Sequence, residues 1–180
     1  MNKNFFTSVQ KLRYQKGFSI LETIVYLTIL TLLTAVVMSS LISLFKSYSV
    51  VKAQQDIELS AIQILDKLTR DIRDTTSIVS GQSSFGVPLG SIALNIANGA
   101  STDVYRYYAT SSVLKVSKNG VYLGDLSQGG VVVNSFILRQ VVGSSSAADA
   151  IKIELNLQAS SRYSTSTISK YFYTTVQQRN

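Results

Sequence analysis

The chain of 180 residues contains no cysteine and no histidine. Zinc sites of the usual kind, cysteine nucleophiles and histidine-based triads are therefore excluded, and no disulfide can hold any part together. Proline occurs once, at Pro88, and no glycine lies between Gly17 and Gly81. That long stretch has no strong helix breaker. Charge is also scarce, at 15% of residues against 46% hydrophobic. The formal charge of +7 overstates how basic the bulk of the chain is. Residues 1–17 carry Lys3, Lys11, Arg13 and Lys16 with no acid, and the remainder holds 13 basic and 10 acidic residues. Such a balance does not demand a nucleic acid or an anionic surface as partner. The length suits one domain plus an extended element.

What is present is an apolar run. From Thr23 to Phe45 there are 23 residues with no charge, no Gly and no Pro. That is long enough to cross the ~30 Å hydrocarbon core of a bilayer as one helix. Thr23, Thr28, Thr31, Thr34, Ser39, Ser40 and Ser43 can bond back to helix carbonyls and so do not spoil the span. The run exceeds the h-region of a secretory signal, and no Ala-x-Ala site closes it. All four leader charges precede the span, so the positive-inside rule puts residues 1–17 in the cytoplasm and the C-terminus outside. Glu22 is the odd member, since a carboxylate deep in a bilayer costs roughly 2.5–3.5 kcal/mol on insertion scales.

The basic leader, then Lys16-Gly17-Phe18-Ser19-Ile20-Leu21-Glu22 and the long apolar helix, resembles the prepilin signal of type IV pilins and type II secretion pseudopilins. The resemblance implies cleavage between Gly17 and Phe18 by a prepilin peptidase and N-methylation of Phe18. It implies an assembly role for Glu22, whose carboxylate would neutralise the free amine of a neighbouring subunit's Phe18. An opposite charge at close range in low dielectric offsets much of the burial cost. The implied partners are other pilin or pseudopilin subunits, the peptidase, an inner-membrane assembly platform and the membrane, with no direct contact to nucleic acid expected. The implied location is a single pass in the bacterial cytoplasmic membrane, then an extracellular or periplasmic filament. Leu68-Thr69-Arg70-Asp71-Ile72-Arg73 and the ending from Tyr173 to Asn180 are similar to larger minor pilins and the J-type pseudopilin. The chain departs from many pilins in lacking the cysteines of a C-terminal disulfide loop. Asp103, Asp125 and Asp149 are too spread to match the calcium loop of the major pseudopilin, so no metal or other cofactor is expected.

Beyond Lys46 the pattern turns amphipathic. Ile57, Ala61, Ile64, Leu68 and Ile72 recur at spacings of three or four, with Leu65 beside them and Val50 two turns earlier. The other face carries Asp56, Glu58, Asp66, Lys67, Arg70, Asp71, Arg73 and Asp74, which read mostly as solvated. The pairs Asp66–Arg70, Lys67–Asp71 and Arg70–Asp74 have ion-pair spacing. After Thr75, short Val-, Ile- and Tyr-rich segments bounded by Gly, Ser and Asn predict strands over 91–97, 103–110, 112–117, 121–126, 131–140, 150–159 and 166–176. Asn119-Gly120 predicts a tight hairpin, and 143–148 a loop. The expected class is α+β: a long N-terminal helix packed against a C-terminal antiparallel β-sheet. The boundaries are a leader over 1–17, the helix over 18–76 with its span at 23–45, and a β-rich exported domain over 77–180.

Three constellations invite a catalytic or binding role. Val104-Tyr105-Arg106-Tyr107-Tyr108 interleaves aromatics with a base, as single-strand nucleic-acid platforms do, but cross-strand packing is the simpler reading. Tyr171, Phe172 and Tyr173 receive the same reading. Ser112 and Lys115 have Ser-x-x-Lys spacing but fall in a predicted strand, not at a helix start. No catalytic residues are assigned and no enzyme is expected. The reading is a minor structural subunit of a pilus-like or secretion filament. The alternative is a monomeric, signal-anchored surface binding protein.

Overall fold

A computed structural model of the chain describes residue 17 and residues 19–141, 150–161 and 166–178. The order is one long helix, α1 (Ile20–Arg73), then eight strands and a short 3-10 turn. The strands are β1 (Thr75–Ile78), β2 (Ser91–Asn98), β3 (Ser101–Thr110), β4 (Val113–Lys118), β5 (Val121–Asp125), β6 (Val131–Val141), β7 (Ala150–Ser160) and β8 (Thr167–Gln177). The chain divides into two compact units, Met1–Ser43 and Leu44–Asn180.

In the first unit the described part of α1 is apolar all round and exposed throughout, with a mean hydropathy of 2.2 in its most apolar window. Several of its hydroxyls are turned inward on the backbone. Thr28 Oγ1 donates to Ile24 O at 2.9 Å, Thr34 Oγ1 to Leu30 O at 2.8 Å and Ser39 Oγ to Ala35 O at 2.9 Å. Each of these three hydroxyls thus has a partner without water, as a lipid environment favours.

In the second unit the expected stripe is buried: Ile57, Ile64, Leu68 and Ile72 are fully inaccessible and Ala61 nearly so. The helix stops at Arg73, where Arg70 and Arg73 complement the carbonyl end of the dipole. Thr75 and Thr76, expected in the helix, belong instead to β1. The Thr75 hydroxyl lies 2.9 Å from both Ser77 O and Asn95 O, so a β-branched residue trades helix for sheet. This strand was not expected, because it has four residues, a register shift and no alternation.

All seven expected strands form, each within two residues of its expected ends, but they make two antiparallel sheets rather than one: β1-β2-β3-β4-β5 and β6-β7-β8. The segment from Ser84 to Gly90 explains the break. It lies along the outer edge of β6, with Leu89 bridged to Phe136, Gly86 N–H donating to Leu138 O and Gly90 N–H to Phe136 O, both at 2.8 Å. Gly90 is required there, since a Cβ would stand 2.8 Å from Ser84 O and 3.1 Å from Phe136 O. The sheets meet where Val133 N–H donates to Ser112 O at 2.8 Å. Side chains of both inner faces, including Ile92, Leu94, Tyr107, Leu114, Phe136 and Ile153, share one core with the α1 stripe. The class is thus α+β, with the helix packed on two antiparallel sheets.

Two hairpin turns differ in how openly the sequence announces them. Asn119 (φ 51°) and Gly120 (φ 82°) make the expected tight turn between β4 and β5. Ser112, expected in a strand, sits with Ser111 in the β3–β4 turn, at φ 62° and 50°. Nothing in Ser-Ser advertises a left-handed turn. The loop expected over 143–148 lies outside the described residues.

Candidate functional site

Gly17 is exposed, and a Cβ added there would meet nothing within 4 Å. Phe18, the expected methylation site, lies outside the described residues, as does the leader over 1–16.

The helix opens just after. Ser19 O accepts the first helical bond, from Thr23 N–H at 3.1 Å, and also the Thr23 hydroxyl at 3.3 Å. Glu22 sits in the first turn, where the helix dipole favours negative charge. Its Oε1 accepts a hydrogen bond from the Tyr26 hydroxyl at 3.1 Å. Tyr26 was not among the expected site residues. The i,i+4 spacing of an acid and a phenol in an apolar helix was the available signal. The carboxylate is exposed on the helix surface, on the half with no sheet of its own to pack against.

The second unit places the remaining candidates in structural roles. Tyr107 is fully buried and its hydroxyl donates to Asp71, itself 5% exposed. Lys67 Nζ holds the same carboxylate at 3.0 Å. Burial first, and the Asp71 carboxylate second, push the Tyr107 hydroxyl far above the ordinary phenol range. Asp71 therefore leaves the solvated face to which the sequence assigned it. The expected Asp66–Arg70 pair forms at 2.8 Å, whereas Arg70 makes no ion pair with Asp74, which follows the helix end. Tyr105 lies between the Lys67 and Lys118 ammonium groups, each 5.5 Å from its ring centre, and Arg106 stands over Tyr108. These aromatics serve the fold, as expected for this strand.

Tyr171 and Tyr173 lie on the outer face, where Lys152 Nζ of β7 stands 5.8 Å from the Tyr173 ring centre, a cross-strand contact. They are 64% and 61% exposed on the outer face of β8, with rings 6.4 Å apart and only 7° from parallel. Phe172 between them packs inward on the core. Ser112 is in a turn and Lys115 stands over the Tyr122 ring, so their spacing builds no nucleophile–base pair. Asp103 is held by Lys118 Nζ at 2.8 Å, Asn119 Nδ2 at 2.8 Å and Asn98 Nδ2 at 2.9 Å. The hydrogen bonds from Lys118 and Asn119 keep its carboxyl below the usual carboxylate range. Asp125 instead accepts from the Tyr122 hydroxyl at 2.6 Å, and Asp149 lies outside the described residues. Among the described residues no three acidic side chains gather as a metal site.

Residues 12–38 match the family model of the prokaryotic N-terminal methylation motif. No curated protein and no solved structure matches the chain.

Proposed function

From the N-terminal methylation motif we propose that this chain is a type IV pilin-like or pseudopilin protein and serves as a minor structural subunit of a pilus-like or secretion filament. The observation that carries the reading is the methylation motif over 12–38, which spans Gly17, Phe18 and Glu22. In this reading the peptidase cuts between Gly17 and Phe18, the new amine of Phe18 is methylated, and α1 docks the subunit among its neighbours. Glu22 meets the amine of an adjacent Phe18, with the Tyr26 hydroxyl already oriented on the carboxylate. Leu59 and Ile62, 50% and 63% exposed on the exported half of α1, extend the apolar surface offered to neighbouring helices. The leader faces the cytoplasm and the β-rich part is exported. The chain works as a structural part, without catalysis.

Intact-mass measurement of the protein extracted from cells with an active prepilin peptidase tests this. The expected species lacks residues 1–17 and carries one added methyl. Recovery of the unprocessed chain overturns the reading and leaves a signal-anchored monomer in its place. Glu22→Ala is expected to be processed normally yet depleted from sheared filaments, because the neighbour's amine loses its counter-charge. Wild-type incorporation would remove Glu22 from assembly.

A further inference from the structure

Within the second unit, a cleft of about 740 Å³ opens on the flank of α1, a volume typical of ligand sites. α1 contributes Tyr48, Lys52 and Asp56, and the facing wall is the Gly129-Gly130 turn before β6, with Ser160 at the end of β7. The two charges have no partners. Lys52 and Asp56 stand at i,i+4, yet they form no ion pair with each other or with any other described residue. Lysine before acid is the less favourable order for a helical pair. The N–H groups of Gly129 and Gly130 also make no hydrogen bond among the described residues, and a Cβ at either glycine would meet nothing within 4 Å. That wall is bare backbone with two donors to give.

The place of the cleft along α1 selects its ligand. The apolar run ends at Leu44 and Phe45, both exposed. At ~1.5 Å per residue, Tyr48, Lys52 and Asp56 follow Phe45 by roughly 5, 10 and 16 Å. Helical side chains lean toward the N-terminus, which brings the Lys52 ammonium back toward the apolar run. It then falls in the headgroup layer, roughly 5–8 Å thick on each side of a bilayer, with Asp56 about one turn further out. Tyr48 is an exposed aromatic of the kind that membrane interfaces favour.

We propose that this cleft binds the headgroup of a phosphatidylethanolamine. Lys52 and the Gly129 and Gly130 N–H groups take the phosphate, and Asp56 takes the primary ammonium. Outward along α1 the cation comes before the anion, which is the order that places phosphate before ammonium in a headgroup whose ethanolamine points away from its acyl chains. One lysine and one aspartate sum to no net charge, as a zwitterion requires. Phosphatidylglycerol has no cation to set against Asp56, and the trimethylammonium of phosphatidylcholine has no N–H to donate to it. The inference rests on the membrane-anchored state of the proposed function and not on filament assembly.

To test this, the full chain is inserted into nanodiscs holding equal amounts of phosphatidylethanolamine, phosphatidylcholine and phosphatidylglycerol with the same acyl chains. It is then released into mild detergent, and the lipid that stays bound is counted by native mass spectrometry. Phosphatidylethanolamine is expected to exceed each competitor at least about threefold, the scale of one partly solvated ion pair. Asp56→Asn is expected to lose the preference over phosphatidylglycerol, and Lys52→Ala the retained phosphatidylethanolamine, each with an unchanged unfolding midpoint. Arg73→Ala, which removes a cation at the far end of the same helix, is expected to change neither. Equal retention of the three lipids, a wild-type preference for phosphatidylglycerol, or indifference to both cleft variants overturns the proposal. So does equally tight binding of glycerophosphoethanolamine, the headgroup without acyl chains, which would make the cleft a site for a free zwitterion. A chain that does not enter nanodiscs overturns the anchored state itself, and this site with it.

Discussion

One hydrogen-bonded helix carries two halves that depend on their side chains in different ways. Over residues 20–43 every position is exposed, and side chains from several turns are interchangeable as long as they are apolar or can bond back to the helix. Over 49–72 nine positions are buried, and three of them are polar: Ser49, Ser60 and Asp71. Each polar one has a distant partner. Ser49 meets Ser161 at 2.5 Å, Ser60 accepts Gln128 N–H at 3.1 Å, and Asp71 takes the Tyr107 hydroxyl. The first half is specified by its surroundings and the second by its own sheets. Substitutions should therefore be cheap for folding in one half and costly in the other.

The largest contrast is expected at Leu68. Losing its burial removes roughly 1.5–3 kcal/mol. Leu68→Asp also places an unpaired charge among Ile64, Ile72 and the sheets, at a further cost of several kcal/mol. Against a total stability of about 5–15 kcal/mol, that should abolish or nearly abolish cooperative folding of the exported part. Leu33→Ala, in the exposed half, should leave the same melt within about 0.5 kcal/mol. Thermal unfolding of the full chain in detergent, followed through near-ultraviolet tyrosine dichroism, compares the two. Similar losses at 33 and 68 would break the distinction between the halves.

A smaller effect should sharpen it within the exported half. Tyr107→Phe strips a donor from a buried carboxylate, at about 1–3 kcal/mol. Lys67→Ala removes the other partner of Asp71. Because the lysine side chain is 43% exposed, about 1 kcal/mol is expected after solvent screening. Arg70→Ala breaks a pair whose members are both about two-thirds exposed, and should cost under about 0.5 kcal/mol. Denaturant midpoints should rank Tyr107→Phe, Lys67→Ala and Arg70→Ala in that order. If Lys67 proves as neutral as Arg70, Asp71 is stabilised by Tyr107 alone.

These positions also mark where the sequence was legible. The stripe from Ile57 to Ile72 and the alternation of Ile151, Ile153, Leu155 and Leu157 are burial patterns, and burial in regular elements has a period. Asn119-Gly120 declared its turn by residue type. Asp71 carries a charge that points to the solvated face, yet three residues after Leu68 and beside Ile72 it lies on the flank of the buried stripe. Ser111-Ser112 and β1 carried no local signal, since tertiary bonds to Val133 and Asn95 set them. At the N-terminus the chemistry is legible as residue types, Gly17 and Glu22, while the Tyr26–Glu22 contact shows only in the i,i+4 spacing. The division into two sheets was not legible, because strand order is decided by contacts between distant segments, such as the one between Gly90 and Phe136.

The smallest effect concerns pH and belongs to the sheets alone. Asp103 ties together the turns at Asn98 and Asn119 through Lys118, Asn119 and Asn98. Its carboxyl is held below the usual range, so the folded state prefers the ionised form more than the unfolded chain does. The group therefore contributes stability that is complete above the unfolded pKa, about 3.9. That contribution disappears as pH falls through the lower folded value. Asp103→Asn keeps the shape and cannot ionise. Its melting temperature should lie below that of the parent chain at pH 7, and the gap should narrow as the pH is lowered from about 5 to about 2.5. Glu154, held low by Lys152 and Arg139, titrates in the same window in both proteins and cancels in the difference. A gap that stays constant across this range would mean that the hydrogen bonds at Asp103 stabilise the turns without its charge.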